Sequence, residues 1–200
     1  MPNWCYNEMT ISCEDDAESM KQLEKFKESS IKRETIVNDD GTVRNEEKLT
    51  FQGVVPRPKS MDITAGTSID DAIVLVKAER GDLSDLNEFI KRKWTYSDED
   101  WNDQPNSSKL YEKDTPVSEK LRIARKYLED KLDVNDITEA KLALDNIEKY
   151  GVKDWYSWNI KFWGCKWDAD TSDIDEMDDQ WLRIQFDTPW SPPEEWLQAV

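Results

Sequence analysis

The sequence predicts an α+β fold, in which strands near both ends of the chain accompany a helical middle. Three observations predict it. The first twelve residues and the segment WLRIQF at 181–186 show the partial or full apolar alternation of half-buried strands, and LTFQGVV at 49–55 is an apolar run. Apolar residues at helical spacing fill much of 68–150. A chain of 200 residues suffices for one domain of ordinary size, which can include an insertion.

The N-terminal sixty residues are predicted to form strands and one helix. Residues 1–12 read as an extended segment with one buried face, and Asp16 supplies an acid suited to a helix start. That helix should end near Ser30. The Asp40-Gly41 pair predicts a tight turn between two weak strands. A further strand is expected over 49–55, before two prolines stop it.

The middle of the chain is predicted to be helical. Ser68 and Ser84 are suited to cap two helices, and Pro116 fits the first turn of a third. A fourth helix should end at Gly151, because glycine accepts the left-handed conformation that terminates many helices. The polar, acidic stretch 95–115 between them is predicted to be a loop.

The C-terminal fifty residues contain the densest aromatic run. Residues 154–170 read DWYSWNIKFWGCKWDAD, and rings this numerous need a surface on which to pack. An acidic loop is predicted at 168–180, and the strand at 181–186 could pair with 165–169 as a hairpin. Ser191 is then suited to cap a short final helix.

Composition limits the classes of function. The net charge is −17, from 44 acids and 27 bases, so the chain should repel nucleic acid and anionic membranes and favour a partner with a basic surface. Histidine, the commonest general base and metal ligand, is absent from the sequence. No apolar run reaches the ~20 residues of a membrane helix, and the three cysteines show no disulfide or zinc spacing. We therefore expect a cytoplasmic protein.

Four sequence pieces, MPNWCYN, LTFQGVVPRP, YGVKDWYSWNIKFWGCKWDAD and FDTPWSPPEEW, occur in this order. Together they resemble the YubB-like family of uncharacterised proteins encoded by plasmids, integrated elements and phages. The resemblance implies a ferredoxin-like core over 1–60 and 150–200, within a single domain over 1–200. The helical and acidic part, about 66–148, is then a mainly helical insertion. The resemblance implies a phage or mobile-element setting, hence a host cytoplasm, and carries no catalytic residues or cofactor with it.

The tryptophans are candidates for either core or binding residues, because Trp and Tyr dominate both. Most are expected in the core. Trp101 and Trp190 lie in polar or proline-rich segments and are the better candidates for exposure. The candidate binding residues are Trp101, Trp155, Trp158, Trp163, Trp167, Trp190, Asp168, Asp170, Asp173 and Asp175.

The acidic segment has part of the spacing of a calcium-binding loop. Asp168, Asp170 and Ser172 occupy its first, third and fifth positions. The sixth position is Asp173, where such a loop needs glycine, and the twelfth is Asp179 instead of glutamate. We therefore predict a solvated acidic tip and no metal site.

Three functions remain open from the sequence. The first is a non-enzymatic interaction protein whose negative surface binds and inhibits a host protein, such as a nuclease or defence factor. The second is a nucleotide-binding protein with a Trp-lined pocket between Trp155 and Trp167. The third is a metal-dependent hydrolase that uses the carboxylates between Asp168 and Asp179. The first is preferred, without cofactor and without direct nucleic-acid binding; the sequence leaves the oligomeric state open.

Overall fold

A computed structural model of the chain describes residues 2–37, 41–95, 115–129, 131–178 and 180–200. The fold is mixed α+β with antiparallel sheets, as the sequence predicts at this level. The chain divides into two compact units: unit 1 is Met1–Lys59 with Tyr156–Val200, and unit 2 is Ser60–Trp155.

Strands belong to unit 1, and most of the described helical residues belong to unit 2. In chain order the elements are β1 (Trp4–Ser12), α1 (Ala17–Ser30), β2 (Ile31–Val37), β3 (Val43–Leu49), α2 (Thr67–Glu79), α3 (Leu86–Thr95), α4 (Val117–Glu129), α5 (Val134–Tyr150), α6 (Trp155–Phe162), β4 (Asp170–Asp178), β5 (Trp181–Pro189) and α7 (Glu194–Leu197). Short 3₁₀ turns occupy Phe51–Gly53 and Lys59–Met61.

Unit 1 contains a three-stranded antiparallel sheet of order β1-β5-β4 and a separate hairpin of β2 and β3. The register sets Glu8 opposite Gln185 and Gln185 opposite Asp173. β2 and β3 flank the position of the predicted Asp40-Gly41 turn in the sequence, and Asp40 itself lies outside the described residues. These pairings do not establish the strand order of a ferredoxin-like sheet, so that part of the fold stays a prediction.

One face of this sheet covers the core of unit 1. Residues of β5 alternate between buried and half-buried, as the WLRIQF pattern predicts. The inward side chains of β5 pack with α1, the 3₁₀ turn, the segment after α6, and α7. The buried members are Leu23, Leu49, Phe51, Trp163, Cys165, Ala169, Leu182, Ile184, Phe186 and Trp196.

Aromatic rings dominate the centre of that core. The ring of Phe51 lies 5.6 Å from that of Trp163, 6.0 Å from that of Phe186 and 4.6 Å from that of Trp196. The indole N–H of Trp163 donates to the carbonyl of Val55 at 2.9 Å, and that of Trp196 donates to the carbonyl of Phe51 at 3.2 Å. Both buried donors are therefore satisfied, which removes the desolvation cost of burying them.

Unit 2 is built from amphipathic helices around two apolar clusters, one involving α2, α3 and α4 and the other α2 and α5. Helix α5 has a capping box, in which Asp133 and Asp136 accept each other's backbone N–H, and it ends at Gly151 with φ 73°. Gly151 as the helix stop was predicted from sequence. The amide of buried Asn146 donates to the carbonyls of Ser60 and Lys153, closing the unit around α5.

Four local predictions are wrong. Ser68 does not cap its helix, because α2 begins at Thr67 after Gly66. The expected strand over 49–55 is a 3₁₀ turn, because Thr50 accepts the N–H of Gln52 and caps it. The expected acidic loop over 168–180 is mostly the strand β4, which pairs with β5 in place of residues 165–169. The final helix begins at Glu194 after Pro193, because the Ser191 hydroxyl donates to the carbonyl of Gly164.

None of the described helices combines the length and the apolar character that a membrane span requires.

Candidate functional site

The second face of the three-stranded sheet is open. Side chains on alternate positions of a strand point to the same face, so directly opposed residues of neighbouring strands share it. The open-face residues are Trp4, Tyr6, Glu8 and Thr10 of β1, Arg183, Gln185 and Asp187 of β5, and Asp173 and Asp175 of β4. We refer to this set as the open face.

Acidic side chains predominate on these strands. The sequences of β1, β4 and β5 hold seven carboxylates and one base, Arg183. That guanidinium lies 2.6 Å from a carboxylate oxygen of Glu8, which also accepts from the amide of Gln185 at 3.0 Å. Hydrogen bonds from Arg183 and then Gln185 hold the pKa of Glu8 below its usual range. The single base on these strands therefore already has an acidic partner.

Like charges lie opposite each other near one end of the open face. Asp170 of β4 is directly opposite Asp187 of β5, an arrangement that destabilises a sheet unless a cation is near. The ammonium of Lys48 lies 3.8 Å from Asp170. The pKa of Tyr6, opposite Asp187 on the other side, is raised by desolvation and by the nearby Glu8 carboxylate. This end of the sheet therefore has a negative local potential.

A groove of about 930 Å³ lies beside this end, within unit 1. One wall is the segment 44–48 of β3, and the other includes Asp170, Asp173 and Asp187. Arg44 pairs with Glu46 at 2.7 Å, so one of the two bases in the wall is locally neutralised. The groove extends the acidic surface from the open face toward the hairpin.

Beside the same end of the open face lies a cluster of exposed rings, which we call the ring cluster: Trp4 (48% exposed), Tyr156 (43%), Trp167 (39%) and Trp190 (55%). The ring centroids of Trp4 and Trp167 are 6.4 Å apart, and those of Trp167 and Trp190 are 5.7 Å apart. Because Trp4 belongs both to β1 and to the ring cluster, the rings and the open face form one continuous surface.

Lys166 lies at the centre of the ring cluster. Its ammonium is 4.8 Å from the ring centroid of Trp167, 5.5 Å from that of Trp190 and 5.7 Å from that of Tyr156. These distances are within cation–π range. A cation from the chain itself therefore occupies the position that the three rings offer to a cation.

The backbone at Trp190 is strained. Its φ is 68°, in the left-handed region that bulky side chains avoid at a cost of about 1–2 kcal/mol. The N–H of Trp190 donates to the carbonyl of Asn3 at 2.8 Å, which helps to hold this conformation. The ring of Trp190 is also exposed, and backbone outliers of this kind are concentrated at functional sites.

No protein-family model, curated protein or solved structure matches the chain.

The predicted binding tryptophans divide between core and surface. Trp158 and Trp163 are buried, and the Trp158 ring lies 4.1 Å from that of Phe162. Trp167 and Trp190 are exposed and adjacent, and exposure was expected for Trp190. Trp155 is half-buried and is the last residue of unit 2. Trp101 lies outside the described residues. A role in binding stays a prediction for each of them.

The predicted acidic residues also divide. Asp168 is a structural carboxylate: it accepts from the Thr50 hydroxyl at 2.7 Å and from the backbone N–H groups of Phe51 at 2.6 Å and Ala169 at 3.0 Å. Asp173 and Asp175 are exposed on the open face, whereas Ser172 lies between them and Asp170 at a bulge. In the described segments, no three His, Cys, Asp or Glu side chains are grouped to hold a metal ion.

Cys165, the buried thiol of the aromatic run, lies in an environment that does not activate it as a nucleophile. Burial, followed by the carboxylates of Asp168 and Glu195, raises its pKa to about 12. The thiol donates to the carbonyl of Trp167 at 3.2 Å. It is therefore protonated at neutral pH, unlike a nucleophilic cysteine.

Sequence reasoning did not find Trp4, Tyr156 or Lys166 as site residues. A signal for Trp4 was available, because the alternation in WCYNE sets Trp4 and Tyr6 on the same side of a strand. For Tyr156 and Lys166 there was none, since only the fold brings these two positions beside Trp190.

Proposed function

We propose that the protein is a non-enzymatic interaction protein whose open face binds a basic surface of another protein. The observation that carries this proposal is the charge of the open face, whose four carboxylates accompany one base, Arg183, that is already engaged with Glu8. A face of this kind attracts cationic surfaces over about a Debye length and accelerates encounter with them. The positions of its carboxylates then determine how the two protein surfaces align.

The proposed partner is a host protein, and a nuclease or defence factor is the preferred class. Proteins that bind nucleic acid present clusters of Lys and Arg to phosphates, and a row of carboxylates can substitute for those phosphates. The phage or mobile-element setting comes from the resemblance of the four sequence pieces. A ferredoxin-like relationship of unit 1, with the middle of the chain as its insertion, belongs to the same proposal, as does a cytoplasmic location in the host.

The test compares two pairs of charge-removing substitutions. The double variant Asp173→Asn, Asp175→Asn removes two exposed carboxylates from the open face, and Asp145→Asn, Glu148→Gln removes two exposed carboxylates from α5 in unit 2. Both variants have the same net charge. The probe is a labelled peptide in which lysine alternates with serine, and its affinity is measured by fluorescence anisotropy over a series of salt concentrations.

We expect the open-face variant to bind the peptide about tenfold more weakly than the wild type at low salt, and the α5 variant to be nearly unchanged. The wild-type affinity should fall steeply as salt rises. Equal losses in the two variants would mean that the net charge alone attracts the probe. That result, or binding insensitive to salt, would contradict the proposal. Host proteins retained by the wild type and the α5 variant, but not by the open-face variant, are then candidate partners.

The other two functions have less support in the geometry. A nucleotide pocket between Trp155 and Trp167 would need accessible rings, whereas Trp158 and Trp163 are buried. A hydrolase centred on the carboxylates from Asp168 onward would need Asp168, whose side chain is engaged by Thr50, Phe51 and Ala169. Asp179, at the end of that segment, lies outside the described residues.

A further inference from the structure

The stability of unit 1 does not explain why the four rings of the ring cluster are exposed together beside Lys166. Trp4, Tyr156, Trp167 and Trp190 each expose between 39% and 55% of their surface, so they contribute less apolar burial than the core rings do. Trp190 also bears a left-handed backbone conformation that a glycine would adopt without strain. A cluster that stabilises the fold weakly and includes a strained residue is better explained by contact with another molecule.

We infer that the ring cluster is the apolar anchor site for the same basic partner that binds the open face. This inference rests on the proposed function. It adds which part of the interface supplies most of the binding energy, and which chemistry the partner has at that point. Trp and Tyr are enriched among the residues that carry most binding energy. Trp4 links the rings directly to Tyr6 and Glu8 along β1, so one partner segment can contact both parts.

The partner's anchor is an uncharged apolar or aromatic side chain. The cation position of the rings is already occupied by the Lys166 ammonium, at 4.8 Å from the Trp167 centroid and 5.5 Å from the Trp190 centroid. A second cation there would be repelled by Lys166. The carboxylates of the open face, by contrast, favour Lys or Arg. The partner segment therefore combines an apolar side chain at one end with basic side chains beyond it.

The register of the strands sets the spacing of that segment. Tyr6 lies opposite Asp187, and Glu8 is two residues farther from Trp4 along β1. At about 3.4 Å per residue, these two positions are about 7 and 14 Å from Trp4. An extended partner segment would thus have its first basic side chains two to four residues from its apolar anchor.

The experiment uses two labelled peptides that differ at one residue. The basic probe begins with four serines, after which lysine alternates with serine. The anchored probe has the same sequence with phenylalanine in place of the first serine, four residues before the first lysine. Each is titrated with the full chain as wild type, as Trp190→Gly and as Leu142→Ala. Glycine removes the ring and relieves the left-handed strain, and Leu142, 37% exposed on α5, is the matched apolar control. Trp167→Ala is a second variant of the ring cluster.

We expect the wild type to bind the anchored probe at least about tenfold more tightly than the basic probe. Trp190→Gly and Trp167→Ala should each lose most of that gain while binding the basic probe as the wild type does. Leu142→Ala should retain the gain. Circular dichroism and thermal unfolding establish that the variants are folded.

The outcomes separate this inference from the proposed function. If the basic probe binds but phenylalanine adds nothing, or if its gain survives in Trp190→Gly, the anchor site is wrong and the acidic interface stands. If neither probe binds, both are wrong. Dimerisation of the wild type in sedimentation, lost in Trp190→Gly, would assign the rings to a second copy of the chain and overturn the inference. Quenching by adenosine monophosphate, lost in the same variant, would assign them to a nucleobase and also overturn it.

Discussion

Unit 1 holds two groups of aromatic rings that resemble each other in composition and differ in environment. In the core, Phe51, Trp163 and Trp196 are almost completely buried, and both indole N–H groups have backbone acceptors. In the ring cluster, Trp167 and Trp190 contact each other and a lysine while about half of each ring's surface meets solvent. The number of aromatic rings in a sequence therefore does not show whether those rings form a core or a binding surface. The decisive feature is which surface the fold provides for each ring.

The largest expected effect is a difference in stability between a variant of a core ring and a variant of the ring cluster. Trp163→Ala should lower the free energy of unfolding of unit 1 by about 3–5 kcal/mol, because it leaves a cavity and an unpaired carbonyl at Val55. Trp167→Ala, in the ring cluster, should cost about 1 kcal/mol or less. Hydrogen exchange of the β5 amides measures both. Similar losses in the two variants would mean that the ring cluster is a second core.

A smaller effect tests the strain at Trp190. Glycine accepts the left-handed φ that alanine does not, so Trp190→Gly should be more stable than Trp190→Ala by about 1 kcal/mol. Denaturant unfolding of the two variants under the same conditions gives the difference. If alanine is the more stable substitution, the backbone at this position is not left-handed in solution, and the strain argument fails.

The smallest expected effect concerns a charged residue of the open face, Glu8, and its contribution to stability. Because hydrogen bonds from Arg183 and Gln185 lower the pKa of Glu8 in the folded state, its carboxylate contributes stability above the usual pKa of a glutamate. That contribution is lost as the pH falls through the folded pKa. Wild type should therefore be slightly more stable than Glu8→Gln at neutral pH, and the difference should shrink as the pH is lowered below the usual pKa of a glutamate. Thermal unfolding over a series of acidic pH values measures this, and a difference that does not shrink would exclude the charged pair as its cause.

The sequence was sufficient for elements that depend on local signals. Asp16 accepts the N–H groups of Glu18 and Ser19 at the start of α1, and the alternation of WLRIQF became β5. The sequence did not predict β4, because the acidic residues of that segment suggested a solvated loop. Strand formation there follows from pairing with β5, which allows Asp173 and Asp175 to face water. Tertiary pairing of this kind overrides local preference, and a single sequence does not reveal it.

The candidate site was predictable only in part, for a related reason. Exposure of Trp190 followed from its proline-rich surroundings, and the acidic character of the surface followed from the net charge. The meeting of Trp4, Lys166 and Trp190 did not, because these residues come from both ends of the chain. A strand register is needed to bring them together. The same register decided which carboxylates share the open face.

The position of β5 in the middle of its sheet has a consequence for biosynthesis. Both of its neighbours precede it in the chain, and one of them, β1, does so by far: the Asn7 amide donates to the carbonyl of Phe186, 179 residues later. A ribosome must therefore deliver the chain through Pro189 before the sheet can close, while the helices of Ser60–Trp155 are complete much earlier. During that interval the apolar side of β1 lacks its partner strand, and nascent chains in this state are the natural clients of chaperones.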